Sequence, residues 1–305
     1  MELLQQLVNG LAQGSIYALV ALGYTMVYGV LRFINFAHGE IYMLGAFAGF
    51  FASGWLGATK RISDGGTAAA WQIALIFLGA MAACALVGML TERLAYRPLR
   101  NAPRLTALIT AIGISMLLQY GGQTIFTPDP QAFPVLIPDT PVVARGDFQI
   151  SWQQVAIIGV AFGLMLALQF IVFRTRLGRA MRAVALDRQA ASLMGINTDV
   201  VIMCTFAIGS VLGAAAGVMN SIYQPSIDPL MGSMAGLKAF VAAVLGGIGN
   251  IGGAVLGGLL LGFAETGVSA TKYSQYRDAI AFAVLIIVLL LRPAGLLGKN
   301  VSEKV

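Results

Sequence analysis

The chain has 305 residues, of which 58% are hydrophobic and 10% charged, and a net charge of +6. Soluble globular chains carry about 25% charged residues, so a water-surrounded core is excluded as the main organising element. The basic excess does not mark a nucleic-acid surface: Lys and Arg sit in short loops between apolar runs, where they orient a membrane protein.

No Asp, Glu, Lys or Arg occurs between Glu2 and Arg32, Glu40 and Lys60, Asp64 and Glu92, Arg104 and Asp129, Asp147 and Arg174, Asp199 and Asp228, or Lys238 and Glu265. Most of these intervals reach the roughly 20 apolar residues that cross a hydrocarbon core. Backbone groups crossing it must bond within helices. The pattern predicts spans at about 7–31, 36–57, 71–91, 105–126, 152–173 and 200–222, an apolar Gly-rich region at 234–268 and a last span at 277–292. The first span is too long for a signal peptide's apolar region and lacks a basic leader and a clear cleavage site, so it is expected to stay attached. No linker divides the chain. The expectation is one all-α polytopic membrane domain over 1–305, with about eight transmembrane segments and a broken or re-entrant helix near 234–268.

At the start of the second span, Asn35-Phe36-Ala37-His38-Gly39-Glu40 places three polar side chains together. As a helix start, Asn35 is expected to cap and Glu40 to sit in the first turn, near the positive dipole end. The functional alternative is a gating or substrate-path segment, because ionisable groups at membrane depth are expensive.

Loop 93–104 carries Arg93, Arg97, Arg100 and Arg104, and loop 174–199 carries Arg174, Arg176, Arg179, Arg182 and Arg188. Lys299 and Lys304 follow Arg292 in the tail. These three segments are predicted to be cytoplasmic. Loop 127–150 has five prolines and one Arg against three Asp, and should face outward. Counting from these loops places the N-terminus and residues 58–70 outside, with Lys60 and Arg61 against the rule, and requires 234–268 to enter and return.

The 178–197 stretch is Ala-rich and lacks Pro, so it is expected to form one short amphipathic helix ended by Gly195. Ala183, Leu186, Ala190, Leu193 and Met194 recur at helical spacing, which suits docking into a partner's groove; the alternative is a helix on the lipid surface.

Region 234–268 contains Gly246, Gly247, Gly249, Gly252 and Gly253, then Gly257, Gly258 and Gly262. Each glycine costs a helix interior about 1 kcal/mol relative to Ala, so a break is expected. Broken backbone survives at membrane depth where protein buries it or a wet cavity adjoins it, and such helices line transport paths. Close helix packing on small residues is the other reading, and a mixture of the two is expected. Lys238 and Glu265 flank the region: they either pair at one depth or both snorkel to an interface.

Enzyme motifs are missing from the sequence: there is no Walker phosphate loop, HExxH, CxxC or Gly-x-Ser-x-Gly, and His38 is the one histidine. Cys84 and Cys204 lie inside apolar spans, which supports neither a disulfide nor a metal site. The passage itself is expected to be weak and mostly apolar, since a tight site would retain the solute.

Several strings together resemble the LivH-type permeases of high-affinity branched-chain amino-acid ABC importers. They are Gly23-Tyr24-Thr25-Met26-Val27-Tyr28-Gly29, Ile34 to Glu40, Glu92-Arg93-Leu94-Ala95-Tyr96-Arg97-Pro98-Leu99-Arg100, Met194-Gly195-Ile196-Asn197 and Ala243 to Gly249. The resemblance implies a multi-pass protein of the bacterial inner membrane with a cytoplasmic C-terminus. It implies pairing with a second, LivM-type permease, two ATPase subunits that bind ATP and Mg, and a periplasmic protein that delivers Leu, Ile or Val. No cofactor or nucleic acid is expected on this chain. The 178–197 segment corresponds to the family's ATPase-contacting loop, but Gly178-Arg179-Ala180 stands where other importer permeases have Glu-Ala-Ala, so the role carries over and the detailed contacts do not; Arg179, Ala180, Asp187, Ala190, Met194 and Gly195 are the candidate contacts. Asn35, His38, Glu40, Lys238, Gly246, Gly247, Gly249 and Glu265 are the candidates for the path or the helix break. A related permease for urea, short amides or other amino acids is the alternative, and a self-contained secondary transporter is the alternative from another class.

Overall fold

The computed structural model describes residues 2–100, 102–145, 148–292 and 294–298. The tail lysines Lys299 and Lys304, used above for orientation, lie outside them, as does Asp147. The chain forms α1 (Glu2–Leu31), α2 (His38–Trp55), the short α3 (Ala58–Ser63), α4 (Ala70–Thr91) and α5 (Arg104–Phe126). It continues with α6 (Trp152–Arg174), α7 (Arg176–Leu186), α8 (Arg188–Leu193), α9 (Thr198–Tyr223), α10 (Met231–Gly246), α11 (Ile251–Ser269) and α12 (Arg277–Leu291). Among the described residues seven helices are long and apolar enough to cross a membrane. They are α1, α4, α5, α6, α9, α11 and α12, so the fold is the expected all-α polytopic one. The expected count of about eight is approximate, because two further helices fall short. The α2 helix opens on the polar His38-Gly39-Glu40, and α10 has 16 residues.

Burial sorts these helices. In α1 and α9, 78% and 67% of the apolar window is buried, whereas in α12 the share is 0%. Lipid is as apolar as Leu, so helices in it associate through close packing of small residues. The glycines do this here. A Cβ on Gly258 or Gly262 of α11 would lie 2.5 and 2.3 Å from the backbone of Ala18 and Gly14 in α1. Gly217 of α9 meets the Tyr42 carbonyl, and Gly45 of α2 meets Ala214, in the same way.

One end of the bundle holds the arginine-rich segments. Arg97 pairs with Asp199 at 2.5 Å, Arg100 bridges Glu92 and Asp199, and Arg32 reaches the Ala185 carbonyl of α7. The 93–104 stretch is less of a loop than expected: α4 runs on through a π turn (Glu92–Tyr96) and a 3-10 turn (Arg97–Leu99). The other end carries short antiparallel strands, β1 (Gln131–Ala132), β2 (Pro141–Arg145), β3 (Phe148–Ser151) and β4 (Ser226–Ile227). They pair as β1 with β4 and β2 with β3. The N-terminal half of α1 is tied to this end by Gln149 N donating to Gln5 and by Gln154 donating to Asn9. The N-terminus thus shares an end with 127–145 and 224–230, and α10 and α11 form a hairpin that goes to the arginine end and returns, as counted from the loops.

Candidate functional site

The first group surrounds the start of α2. After α1 the chain turns at Arg32, whose φ is 55°. Asn35 does not cap α2, which corrects the expectation: the N-cap residue is Ala37 and it offers no side-chain bond. The Asn35 side-chain oxygen instead accepts from Ala37 N at 3.2 Å and from the Tyr96 hydroxyl at 2.6 Å, stabilising the turn that precedes the helix. His38 is buried with its ring edge-on to Tyr24, centroids 4.9 Å apart. It fits because residue 23 is glycine: a Cβ there would lie 2.1 Å from His38 Nε2. Glu40 does sit in the first turn and is buried. Its Oε1 accepts from Ser115 of α5 at 3.1 Å and Ser233 of α10 at 3.3 Å, so one carboxylate joins three helices.

The glycine region both breaks and packs. The α10 helix ends at Gly246; Gly247 and Gly249 adopt φ of 104° and 92°, which L side chains rarely take. Asn250 then caps α11, accepting from Gly253 N at 3.1 Å. The carbonyls left open at the end of α10 are covered by the segment after α12: Leu296 N donates to Leu245 O at 2.9 Å and Leu297 N to Gly246 O at 3.0 Å. Asn250 Nδ2 donates to the Leu297 carbonyl, closing the plug. The break is therefore partly covered by protein at the arginine end: Gly246 and Gly247 are buried, whereas Gly249 and Asn250 are exposed. Gly246, Gly247 and Gly249 do not line the cavity described next.

Lys238 and Glu265 do meet. The Lys238 ammonium is 3.0 Å from Glu265 Oε1 and 2.7 Å from Asp278 Oδ1. Lys238 and Glu265 are both buried, which favours the pairing reading over snorkelling to an interface. The Tyr17 hydroxyl donates to Glu265 Oε2 at 2.7 Å, and Lys238 lies 5.8 Å from the centre of the Tyr17 ring. This cluster faces a cavity of about 430 Å³ between α1, α9, α10, α11 and the start of α12. The cavity sits toward the strand end, and most of the side chains lining it are polar. Asn35, His38 and Glu40 are not part of it, so the eight path candidates divide into three separate places.

Tyr17, Asp228, Arg277 and Asp278 were not among the sequence candidates. A signal existed for the first. Asn9, Gln13 and Tyr17 stand four residues apart on α1 and all line the cavity, forming a polar stripe on an otherwise apolar helix.

The arginine-end segment is two helices rather than the expected one. Asp187 breaks it, adopting an extended conformation and capping α8 through bonds from Gln189 N and Ala190 N at 2.8 and 3.0 Å. Gly195 ends α8 with φ of 79°, as expected. The inward face consists of Gly178, Met181, Val184 and Ala191, with Ala180 and Ala183 partly covered. Arg179, Asp187, Ala190 and Gly195 are exposed, and Leu186, Leu193 and Met194 are 82 to 88% exposed. Partial burial and the neighbouring Arg100 guanidinium lower the Arg188 pKa from its ordinary value.

Residues 6–289 match the family described as branched-chain amino acid transport system / permease component. The chain is 46% identical to the high-affinity branched-chain amino acid transport system permease protein BraD of Pseudomonas aeruginosa, over 99% of this chain and 98% of that one. It is 47% identical to the corresponding permease protein LivH of Escherichia coli K12, over 99% and 97%. A ribose import permease of E. coli, RbsC, is 32% identical over 44% of this chain.

Proposed function

The chain belongs to the family of branched-chain amino acid transport permeases, and from that premise we propose that it forms part of the membrane passage of an ABC importer for leucine, isoleucine and valine. The observation that carries this reading is the identity of nearly half, sustained over almost the whole length of two such permeases. Likeness confined to one segment would support a shared fold element and no more.

In this reading the arginine end faces the cytoplasm of a bacterial inner membrane and the strand end the periplasm. ATP and Mg are handled by two separate ATPase subunits. A second, LivM-type permease completes the passage, and a periplasmic protein delivers the amino acid. The ATPase subunits dock on α7 and α8, where Leu186, Leu193 and Met194 stand in water next to Ala190. Exposed apolar side chains at a water-facing end favour a protein partner. The start of the break, at Gly246 and Gly247, acts as a packed joint, because residues 296–297 cover the end of α10 there, while Gly249 and Asn250 stay exposed.

The test is uptake of labelled leucine by cells lacking their own branched-chain importers and supplied with this chain and its partners. ATP-dependent leucine uptake that disappears when this chain is left out is the expected result. Uptake of urea with none of leucine would replace the substrate assignment, and uptake without the ATPases would replace the mechanism.

A further inference from the structure

The cavity beneath Lys238 has the charge pattern of a site for a zwitterion. Its wall holds two cations, Lys238 and Arg277, and two carboxylates, Glu265 and Asp228. A simple anion would meet the acids and a simple cation the bases, whereas a molecule with separated charges of both signs has a partner for each. Met231 and Met234 of α10 add an apolar flank, and thioether side chains adapt to varied aliphatic shapes. The volume of about 430 Å³ lies inside the ~300–1,000 Å³ range of small-molecule sites.

We propose that this cavity is a transient binding station for a free α-amino acid with an aliphatic side chain, its carboxylate held by Lys238 and Arg277 and its ammonium by Asp228 and Glu265. The inference rests on the transport function above and adds the place where the solute is held within this subunit. Lys238 has two carboxylate partners of different kinds. Glu265 is 7% exposed in its side chain and held by Tyr17; Asp278 is 41% exposed. An incoming carboxylate takes the place of Asp278, which turns to water and to Arg277, already 3.6 Å away. That exchange leaves no buried charge unpaired, which is the condition for it to be cheap. A held solute that must move on needs a weak site, so half-occupancy is expected in the millimolar range.

The test uses the complete importer, with its ATPases and second permease, in proteoliposomes, with Cys84 and Cys204 replaced by Ser. Ala235→Cys places a thiol on the cavity wall, and Met234→Cys is a second reporter should the first assemble poorly. The rate of modification by a charged, impermeant thiol reagent is measured with and without 20 mM L-leucine (on the order of ten times a millimolar constant). Slowing of at least threefold by L-leucine is expected. N-acetyl-leucine, which lacks the ammonium, and leucinamide, which lacks the carboxylate, should give none, and Lys238→Gln should abolish the protection. Equal labelling rates with and without leucine, in a complex that still takes up leucine, overturn the proposal and leave the transport function standing. Absence of leucine uptake by the unreplaced complex overturns the transport function itself.

Discussion

The Lys238 ammonium lies 3.0 Å from the Glu265 carboxylate, on opposite arms of the α10–α11 hairpin, and each side chain is 7% exposed. Removing one member of a buried pair leaves the other charge unmatched, at a cost of about 3–5 kcal/mol. Lys238→Met is therefore expected to lower the melting temperature of the purified protein strongly. Lys238→Met with Glu265→Gln removes both charges and should recover most of the loss. Asp278→Asn breaks a half-wet contact, worth about 0–1 kcal/mol, and should change melting little. A double variant no more stable than the single one would show that the pair is not the determinant.

Gly247 and Gly249 both adopt a positive φ and differ in surroundings. A Cβ on Gly247 would lie 2.5 Å from Gly298 N, whereas one on Gly249 would meet nothing within 4 Å. Gly249→Ala carries only the backbone cost, about 1–3 kcal/mol. Gly247→Leu adds displacement of the 295–298 segment that seals α10. The expected outcome is loss of leucine uptake in Gly247→Leu, with reduced but measurable uptake in Gly249→Ala, at matched membrane levels. Equal uptake by both variants would show that the seal does not matter.

The missing Cβ of Gly23 is the space that His38 occupies. Gly23→Ala overpacks this contact, and such insertions cost about 1–3 kcal/mol. His38→Ala alone leaves a cavity. The two changes together restore the fit, so the double variant should melt above the Gly23→Ala single. Additive losses would contradict the steric account and point to a polar role for the ring.

The spans were legible because charge-free intervals have to match bilayer thickness: the expected 105–126 and 152–173 correspond to Arg104–Phe126 and Trp152–Arg174. The kink at Asp187 was not read, because a capping aspartate inside an Ala-rich stretch looks the same whether it caps or faces solvent. The partners Tyr17 and Asp278 were hidden for another reason. They come from α1 and α12, and which distant helices touch a buried lysine depends on how small residues let the helices approach. The Gly14–Gly262 contact lets α1 approach α11 closely enough for Tyr17 to reach Glu265. The covering of α10 by residues 296–297 is equally non-local.

Sidedness follows from the arginine asymmetry. In cells carrying the chain with Cys84 and Cys204 replaced by Ser, Thr140→Cys should react with an impermeant reagent added outside, and Ser192→Cys should react only after the membrane is opened. Ser192 is exposed, so access to that thiol is limited by the membrane rather than by packing. Labelling of the Ser192 site in intact cells would invert the topology.

Ala190→Glu separates docking from folding. Ala190 is exposed on α8, three residues after the capping Asp187. A glutamate at that position of a helix supports a capping box and sits favourably near the positive helix end, so the substitution should not unravel α8. What it does is place a charge beside Leu186, Leu193 and Met194, which are 82 to 88% exposed. If an ATPase groove covers that surface, the carboxylate loses its water without gaining a partner, and the interface weakens. The expected result is a variant that reaches the membrane at normal levels and melts normally by itself, but loses ATPase subunits on purification. Where some remain, their hydrolysis should no longer rise when loaded binding protein is added. Full subunit retention together with normal leucine uptake would remove α8 from the ATPase interface.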